Sequence, residues 1–192
     1  MAMNILNKLN SVVPHGTRNQ VRPFFYWLTI IFNRVDEDRR KLVGPDLACA
    51  EWLLKNGAFV RWKDSSKELT DYNLLPSTRG DYYIEAVNAN NAGITHVGFP
   101  YFEGCKHITE VKLESCKYIS DQTIPFLSLL KDSLIDLKII KCKSVTDEGL
   151  QGLKPLENLK TLQVQGISYL KDRKFIHEEL LKILPDCKID IQ

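Results

Sequence analysis

The chain has 192 residues, 44% hydrophobic and 26% charged, a composition that fits one compact globular body and leaves no room for two full domains. Its 26 basic and 24 acidic residues give a formal net charge of +2, too small for the one-sided field that sequence-independent phosphate binding needs, so nucleic acid is not an expected partner. The longest apolar run, Phe24 to Phe32, has nine residues; a spanning helix needs about 20.

The first acidic residue is Asp36, while Lys8, Arg18, Arg22 and Arg34 come before it. Met3, Ile5, Leu6, Leu9, Val12 and Val13 interleave with Asn4, Lys8 and Asn10 at spacings that a helix turns into an amphipathic face. Residues 1–23 therefore read as a mitochondrial presequence cleaved near residues 15 to 25, with a flexible basic tail as the competing reading. A secretory signal fits less well, because Phe32-Asn33-Arg34 offers no small-residue cleavage site. The aromatic run itself has two readings. It is a hydrophobic helix capping the core, the blander and preferred one, or an interfacial helix docked on a partner or membrane surface.

Residues 24–80 read as a mixed α/β N-terminal capping domain. Asp36, Glu37 and Asp38 precede Arg39, Arg40 and Lys41, as on a solvated helical face with opposite-charge pairs. Gly44-Pro45-Asp46 marks a helix start, Ala48, Cys49, Trp52 and Leu53 follow at helical spacing, and Asn56-Gly57 marks its end. Ala58 to Trp62 alternates like a strand and Asp64 to Lys67 reads as a turn.

Residues 81–192 repeat. Ile108-x-x-Val111-x-Leu113-x-x-Cys116-x-x-Ile119 recurs 26 positions later as Leu134-x-x-Leu137-x-Ile139-x-x-Cys142-x-x-Val145. A third copy, Leu159-x-x-Leu162-x-Val164-x-x-Ile167, follows at 25, and Leu184-x-x-Cys187-x-Ile189 begins a fourth. Ile84-x-x-Val87-x-Ala89-x-x-Ala92 and Ile94-x-x-Val97-x-Phe99-x-x-Phe102 look like shorter, degenerate copies upstream. This period and pattern mark a leucine-rich-repeat solenoid of the α/β class, with parallel strands in front and one helix per unit behind. Cys116 and Cys142 are then small buried hydrophobes. Asp121 and Asp147 are expected helix N-caps, and Lys112, Glu114, Lys138 and Lys141 are expected on the exposed strand face.

No nucleophile, phosphate-loop or zinc-protease motif is present. The five cysteines (Cys49, Cys105, Cys116, Cys142, Cys187) are odd in number and scattered, which suits neither a disulfide framework nor a zinc site. His15, His96, His107 and His177 are dispersed; even if His96 and His107 approach, two imidazoles without a third ligand make a poor metal site. Catalytic residues are not predicted, and no small-molecule substrate is implied; a rigid repeat surface that binds another protein is.

Several stretches together carry a resemblance: Phe25-Tyr26-Trp27-Leu28, Asn33-Arg34-Val35-Asp36, Val43-Gly44-Pro45-Asp46, Glu51-Trp52-Leu53-Leu54, Gly57-Ala58-x-Val60-Arg61, Asp71-Tyr72-Asn73-x-Leu75-Pro76, Cys116-x-Tyr118-Ile119-x-Asp121, and Ile139-Ile140-x-Cys142-x-x-Val145-Thr146-Asp147. From about Phe24 to the C-terminus the chain resembles the mitochondrial ATP synthase coupling factor B family, also called ATP synthase subunit s or distal membrane-arm assembly component 2-like. The resemblance implies a non-catalytic protein held peripherally on the matrix side of the inner mitochondrial membrane. There it would associate with the ATP synthase membrane sector and block a proton leak. It also implies a magnesium ion on main-chain atoms of Gly57 and Asn90, the latter standing where the family usually has threonine. Of the family's closely spaced thiol pair only Cys116 is present, with Glu114 at the other place. Two alternatives are an assembly factor for the membrane arm of respiratory complex I, and a leucine-rich-repeat ubiquitin-ligase adaptor, although residues 24–79 do not read as an F-box.

Overall fold

The computed structural model describes residues 18–168, 170 and 172–192, with the side chains of the first helix described from Tyr26 onward. Most of the expected presequence, residues 1–17, lies outside the described residues, whereas 18–23 belong to helix α1 (Arg18–Asn33). Two helices follow: α2 (Glu37–Val43), with Asp36 accepting from Arg39 N at its start, and α3 (Pro45–Lys55), with Pro45 in its first turn. Helix α3 ends at Asn56, and Gly57 takes φ 83°, the left-handed conformation that glycine adopts without a Cβ penalty.

One seven-stranded sheet runs through the molecule in the order β2-β1-β3-β4-β5-β6-β7. The strands are β1 (Phe59–Trp62), β2 (Glu68–Leu69), β3 (Ile84–Asn90), β4 (Glu110–Glu114), β5 (Asp136–Ile140), β6 (Thr161–Gln165) and β7 (Lys188–Ile191). Strand β1 is antiparallel to both β2 and β3, and every pairing from β3 to β7 is parallel. The register explains the sequence period. Val87, Val111, Leu137, Leu162 and Ile189 form one row across the sheet, and Ala89, Leu113, Ile139, Val164 and Ile191 the next. All are buried in the core except Ile189 and Ile191, which are partly buried against it on the last strand. Ala92, Cys116, Cys142 and Ile167, three residues beyond the second row, are also buried.

A recurring bend closes each layer. Asn91, Ser115, Lys141 and Gly166 directly follow β3 to β6 and have φ of 52°, 53°, 52° and 64°. The N–H of each donates to the carbonyl of the residue ending the next strand or just beyond it: Glu114 at 2.8 Å, Ile140 at 2.8 Å, Gln165 at 2.7 Å and Gln192 at 3.2 Å. The left-handed turn is thus built into the inter-layer hydrogen bonding, and three of the four positions adopt it without glycine.

Behind the sheet the connections are shorter than one full helix per unit. The first two layers carry 3₁₀ segments, Phe99–Phe102 and Ile124–Leu130, each with a proline in its first turn; the next carries the five-residue α4 (Asp147–Gln151), and the last carries the 11-residue α5 (Arg173–Ile183). Two expectations are corrected here. Ile94 to Phe102 is not a separate copy with its own strand but the back of the β3 layer, so the two degenerate copies are one unit that returns to the sheet at β4. Asp121 and Asp147 are not caps of their own helices either. Thr146 occupies the N-cap of α4. The Asp121 carboxylate reaches across one layer to accept from Thr146 N at 2.7 Å and Thr146 Oγ1 at 2.8 Å. The capping chemistry is that expected of an aspartate, but it acts between neighbouring repeats.

The N-terminal region joins this core through aromatic packing. Trp52, buried on α3, stacks on Tyr101 (5.4 Å, 13°) and meets Phe99 and Phe102 edge-on. Gly98 permits that approach, since a Cβ there would stand 2.3 Å from the Trp52 ring.

Candidate interaction surface

Helix α1 is amphipathic in the inverted sense. Its polar residues Thr29 and Asn33, one turn apart, are 5% and 0% exposed, whereas Tyr26, Trp27, Ile31 and Phe32 are 49%, 56%, 37% and 41% exposed. The preferred reading, a hydrophobic helix capping the core, is corrected in part: α1 packs on the body through Thr29 and Asn33, and its exposed aromatic face looks outward. A hydrogen-bond network forces the orientation. Asn33 Oδ1 accepts from Trp52 Nε1 at 3.0 Å and Thr95 N at 2.8 Å, and its Nδ2 donates to the carbonyls of Thr29 and Gly93, each at 2.9 Å. Burying an amide is tolerable only when it is saturated in this way. Tyr101 adds a second tie: its hydroxyl accepts from Asp36 N at 2.8 Å and donates to Arg34 O at 3.2 Å. Burial raises its phenol pKa.

The charged run after α1 is built into the scaffold. Arg39 makes a two-pronged ion pair with Glu51 on α3 (shortest contact 2.6 Å), and Arg40 bonds Glu37 and Glu103. On the open face of the sheet, Glu110, Asp136, Thr161 and Lys188 form one row and Lys112, Lys138, Gln163 and Asp190 the next. Like charges that face each other across the layers are offset by pairs along the strands, Lys112 with Glu114 at 2.6 Å and Lys138 with Asp136 at 3.5 Å, while Arg61 pairs with Glu85 and Glu110. The hydrogen bond from Lys112 draws the Glu114 carboxyl pKa down. Lys141 lies just past its strand, exposed at the bend.

All five cysteines are buried and free. The Cys116 thiol donates to Ala89 O at 3.1 Å and that of Cys142 to Leu113 O at 3.5 Å, so each bonds the layer before it. Hydrogen bonding between the Cys116 and Cys142 thiols, together with burial, pushes Cys116 upward, away from the reactive thiolate. The thiol partner of Cys116 is thus one repeat away, a pairing the spacing contained but that reading each cysteine singly as a core residue did not draw out.

Extending the β1–β3 register, in which Phe59 faces Asn88, by two residues brings Gly57 opposite Asn90, and Gly93 N bonds Asn56 O at 2.8 Å beside them. Gly57 precedes β1 and Asn90 ends β3, so both lie toward one end of this antiparallel pair, where main-chain oxygens are neutral donors. Magnesium prefers one or two carboxylates and several waters, and the acid in register with Asn90 is Glu114, held by Lys112. Two main-chain oxygens would supply only part of such an ion's shell and would leave the rest to water. Among the described residues no group of three or more His, Cys, Asp or Glu side chains is arranged to hold a metal. His107 packs on Tyr83 (4.6 Å between rings) beside a cavity of about 190 Å³ at the start of α3, where Asp46 is committed to Ile84 N at 2.9 Å. No helix among the described residues is long and apolar enough to cross a membrane.

The chain is 40% identical over 174 residues to a rat protein named ATP synthase subunit s, mitochondrial, covering 88% of this chain and 87% of that one. It belongs to the mitochondrial ATP synthase subunit s (coupling factor B) family. The human subunit s is 35% identical over 175 residues (89% and 88% covered) and the bovine one 37% over 177 (89% and 88%). No protein-family model matches the chain. The subunit s relationship spans both the helical N-terminal region and the repeats, since neither alone supplies the matched length.

Proposed function

We propose that this member of the subunit s family is a non-catalytic accessory factor of mitochondrial ATP synthase, bound peripherally to the membrane sector on the matrix side of the inner membrane. Its role is to support the coupling of proton conduction to ATP synthesis by suppressing a leak. The observation that carries this reading is the outward aromatic face of α1, fixed by the buried Asn33 amide to a rigid body. An apolar face of that kind on a helix too short to span suits the boundary between a membrane and a protein complex. The names of the curated relatives support mitochondrial location and the choice of complex.

The parallel sheet with its in-register aliphatic rows and inter-layer thiol bonds is, in this proposal, a leucine-rich-repeat solenoid, capped by α1 to β2 and presenting a polar open face to a partner. Magnesium enters as an ion on Gly57 and Asn90 main-chain oxygens, completed by water, at the junction of cap and repeats. Its chemistry there would be structural: it would tie two strand ends and would activate no substrate.

The test is restoration of coupling to inner-membrane vesicles depleted of the endogenous factor. Added protein is expected to lower proton conductance and raise ATP synthesis, and Trp27→Glu with Phe32→Glu is expected to restore neither. Unchanged conductance after adding the wild-type chain would overturn the proposal.

A further inference from the structure

The loops that follow β4 and β5 carry Lys117, Lys141 and Lys143, all exposed and none in an ion pair among the described residues. The two loops lie side by side, joined by a bridge between Ser120 and Ser144. Lys141 occupies a left-handed bend anchored by its N–H to Gln165 O, and Lys117 Nζ lies 5.3 Å from the Tyr118 ring centre. The lysines therefore project from an ordered edge of the sheet.

Helix α1 crosses the same edge. Asn33 bonds Gly93 and Thr95 in the loop after β3, and Tyr26 lies 6.0 Å, ring to ring, from Tyr118 in the loop after β4. Seven helical residues advance about 10 Å, enough to carry α1 past the loops of two adjacent strands about 4.8 Å apart. The exposed aromatics and the lysines thus share one side of the molecule, the end toward which the parallel strands point. Nearby acids are largely committed: Glu114 to Lys112, and Asp121 to Thr146. Exposed Glu148 opens α4, on the back of the sheet.

We infer that this loop edge is a lipid-facing surface: Lys117, Lys141 and Lys143 contact anionic phospholipid headgroups while Tyr26, Trp27 and Phe32 enter the interface, so that the sheet stands edge-on to the bilayer. The inference rests on the peripheral membrane association proposed above and adds its orientation and lipid chemistry. Aromatic side chains at the headgroup level flanked by unpaired lysines match an anionic bilayer in both polarity and charge. Standing edge-on leaves the polar open face of the sheet at right angles to the membrane, free for a protein partner.

The experiment is co-sedimentation of the full chain with vesicles of phosphatidylcholine alone and of phosphatidylcholine containing phosphatidylglycerol. Three proteins are compared: wild type, the variant Lys117→Gln/Lys141→Gln/Lys143→Gln, and the equally charged control Lys106→Gln/Lys160→Gln/Lys188→Gln. The control residues are exposed at the opposite end of the strands, before or at the start of β4, β6 and β7. Each surface lysine strengthens binding to anionic lipid about five-fold. The loop-edge variant is expected to lose about a hundred-fold in partitioning to anionic vesicles, together with most of the salt sensitivity of the wild type, while the control stays within a few-fold of wild type. Equal loss in both variants would reduce the effect to net charge and overturn the inference, as would unchanged binding of the loop-edge variant or no preference of the wild type for anionic vesicles. Binding to purified ATP synthase in detergent, measured alongside, separates the two readings: its absence would strike the accessory role and leave the lipid result standing.

Discussion

The indole N–H of Trp52 donates to the side-chain oxygen of Asn33 at 3.0 Å, and both residues are almost wholly buried. Through this bond the residue that ends α1 is locked to the aromatic centre of α3, and the outward set of Tyr26, Trp27 and Phe32 follows from it.

Replacing Asn33 with Ala leaves the Trp52 indole N–H and the Thr95 amide without acceptors, and each orphaned donor costs about 1–3 kcal/mol. The expected result is a loss of about 3 kcal/mol in urea unfolding, with earlier proteolytic cleavage within α1 than in the wild type. An unchanged midpoint and cleavage pattern would show that the network does not hold the helix.

Asp46 sits at 6% exposure with Oδ1 accepting from Ile84 N, and burial raises its carboxyl pKa against the effects of that bond and of His107. A carboxyl whose folded value lies above its unfolded one binds its proton more tightly in the folded chain. Its contribution to stability is fully present below about pH 3.9, the unfolded value, and is lost as pH rises through the raised folded value. Asp46→Asn keeps an acceptor and removes the titration, so its stability relative to wild type is expected to improve as pH rises from about 4 to 7. Urea unfolding of both proteins across that range checks this, and a relative stability falling with pH would contradict it.

The carboxylate of Asp121 fills the space where a Cβ on Gly149 would stand, 2.1 Å from Oδ1, while it caps Thr146 from the neighbouring layer. Asp121→Ala is expected to cost about 1–2 kcal/mol, and Gly149→Ala about 2 kcal/mol through the clash. The double variant should cost less than the sum of the two, a coupling readable in a thermal-unfolding cycle. Strict additivity would mean that the cap and the close approach act independently.

The thiols are held out of solution chemistry by the fold. Burial, reinforced by Cys105, pushes Cys49 well above the ordinary thiol range, and the bond to Cys142 does the same for Cys116. None of the five free thiols is expected to react with a thiol-specific chromogenic disulfide at pH 8 in the native protein, and all should react in denaturant. Because the Cys49 and Cys116 protons are held to higher pH in the folded chain, the stability those two groups contribute is complete below the unfolded range near about pH 8.5 and declines above it, whereas the bond with Cys116 draws Cys142 down. Rapid labelling of one or two thiols without unfolding would contradict the burial argument.

The repeat register was legible because aliphatic side chains at fixed spacing have one way to stack: the offset between Cys116 and Cys142 is the offset between Val111 and Leu137 in the sheet. The stop at Gly57 and the strand from Phe59 could be read for similar local reasons. What sat between the strands was not legible, since 3₁₀ segments such as Ile124–Leu130 share the apolar spacing of a short α-helix. The orientation of α1 was hidden more deeply. Apolarity alone favours turning Trp27 and Phe32 inward, and what reverses it is a tertiary network through Asn33 to Gly93, Thr95 and Trp52, whose partners lie up to 62 positions away. The polar pair Thr29 and Asn33, one turn apart within an aromatic run, was the available signal.

The most direct test of the account is native gel electrophoresis of gently solubilised mitochondria carrying the tagged chain, followed by mass spectrometry of the tagged band. The account predicts that the protein migrates with ATP synthase and is released by Trp27→Glu/Phe32→Glu. Migration with membrane-arm intermediates of complex I, or with no inner-membrane complex, would contradict it.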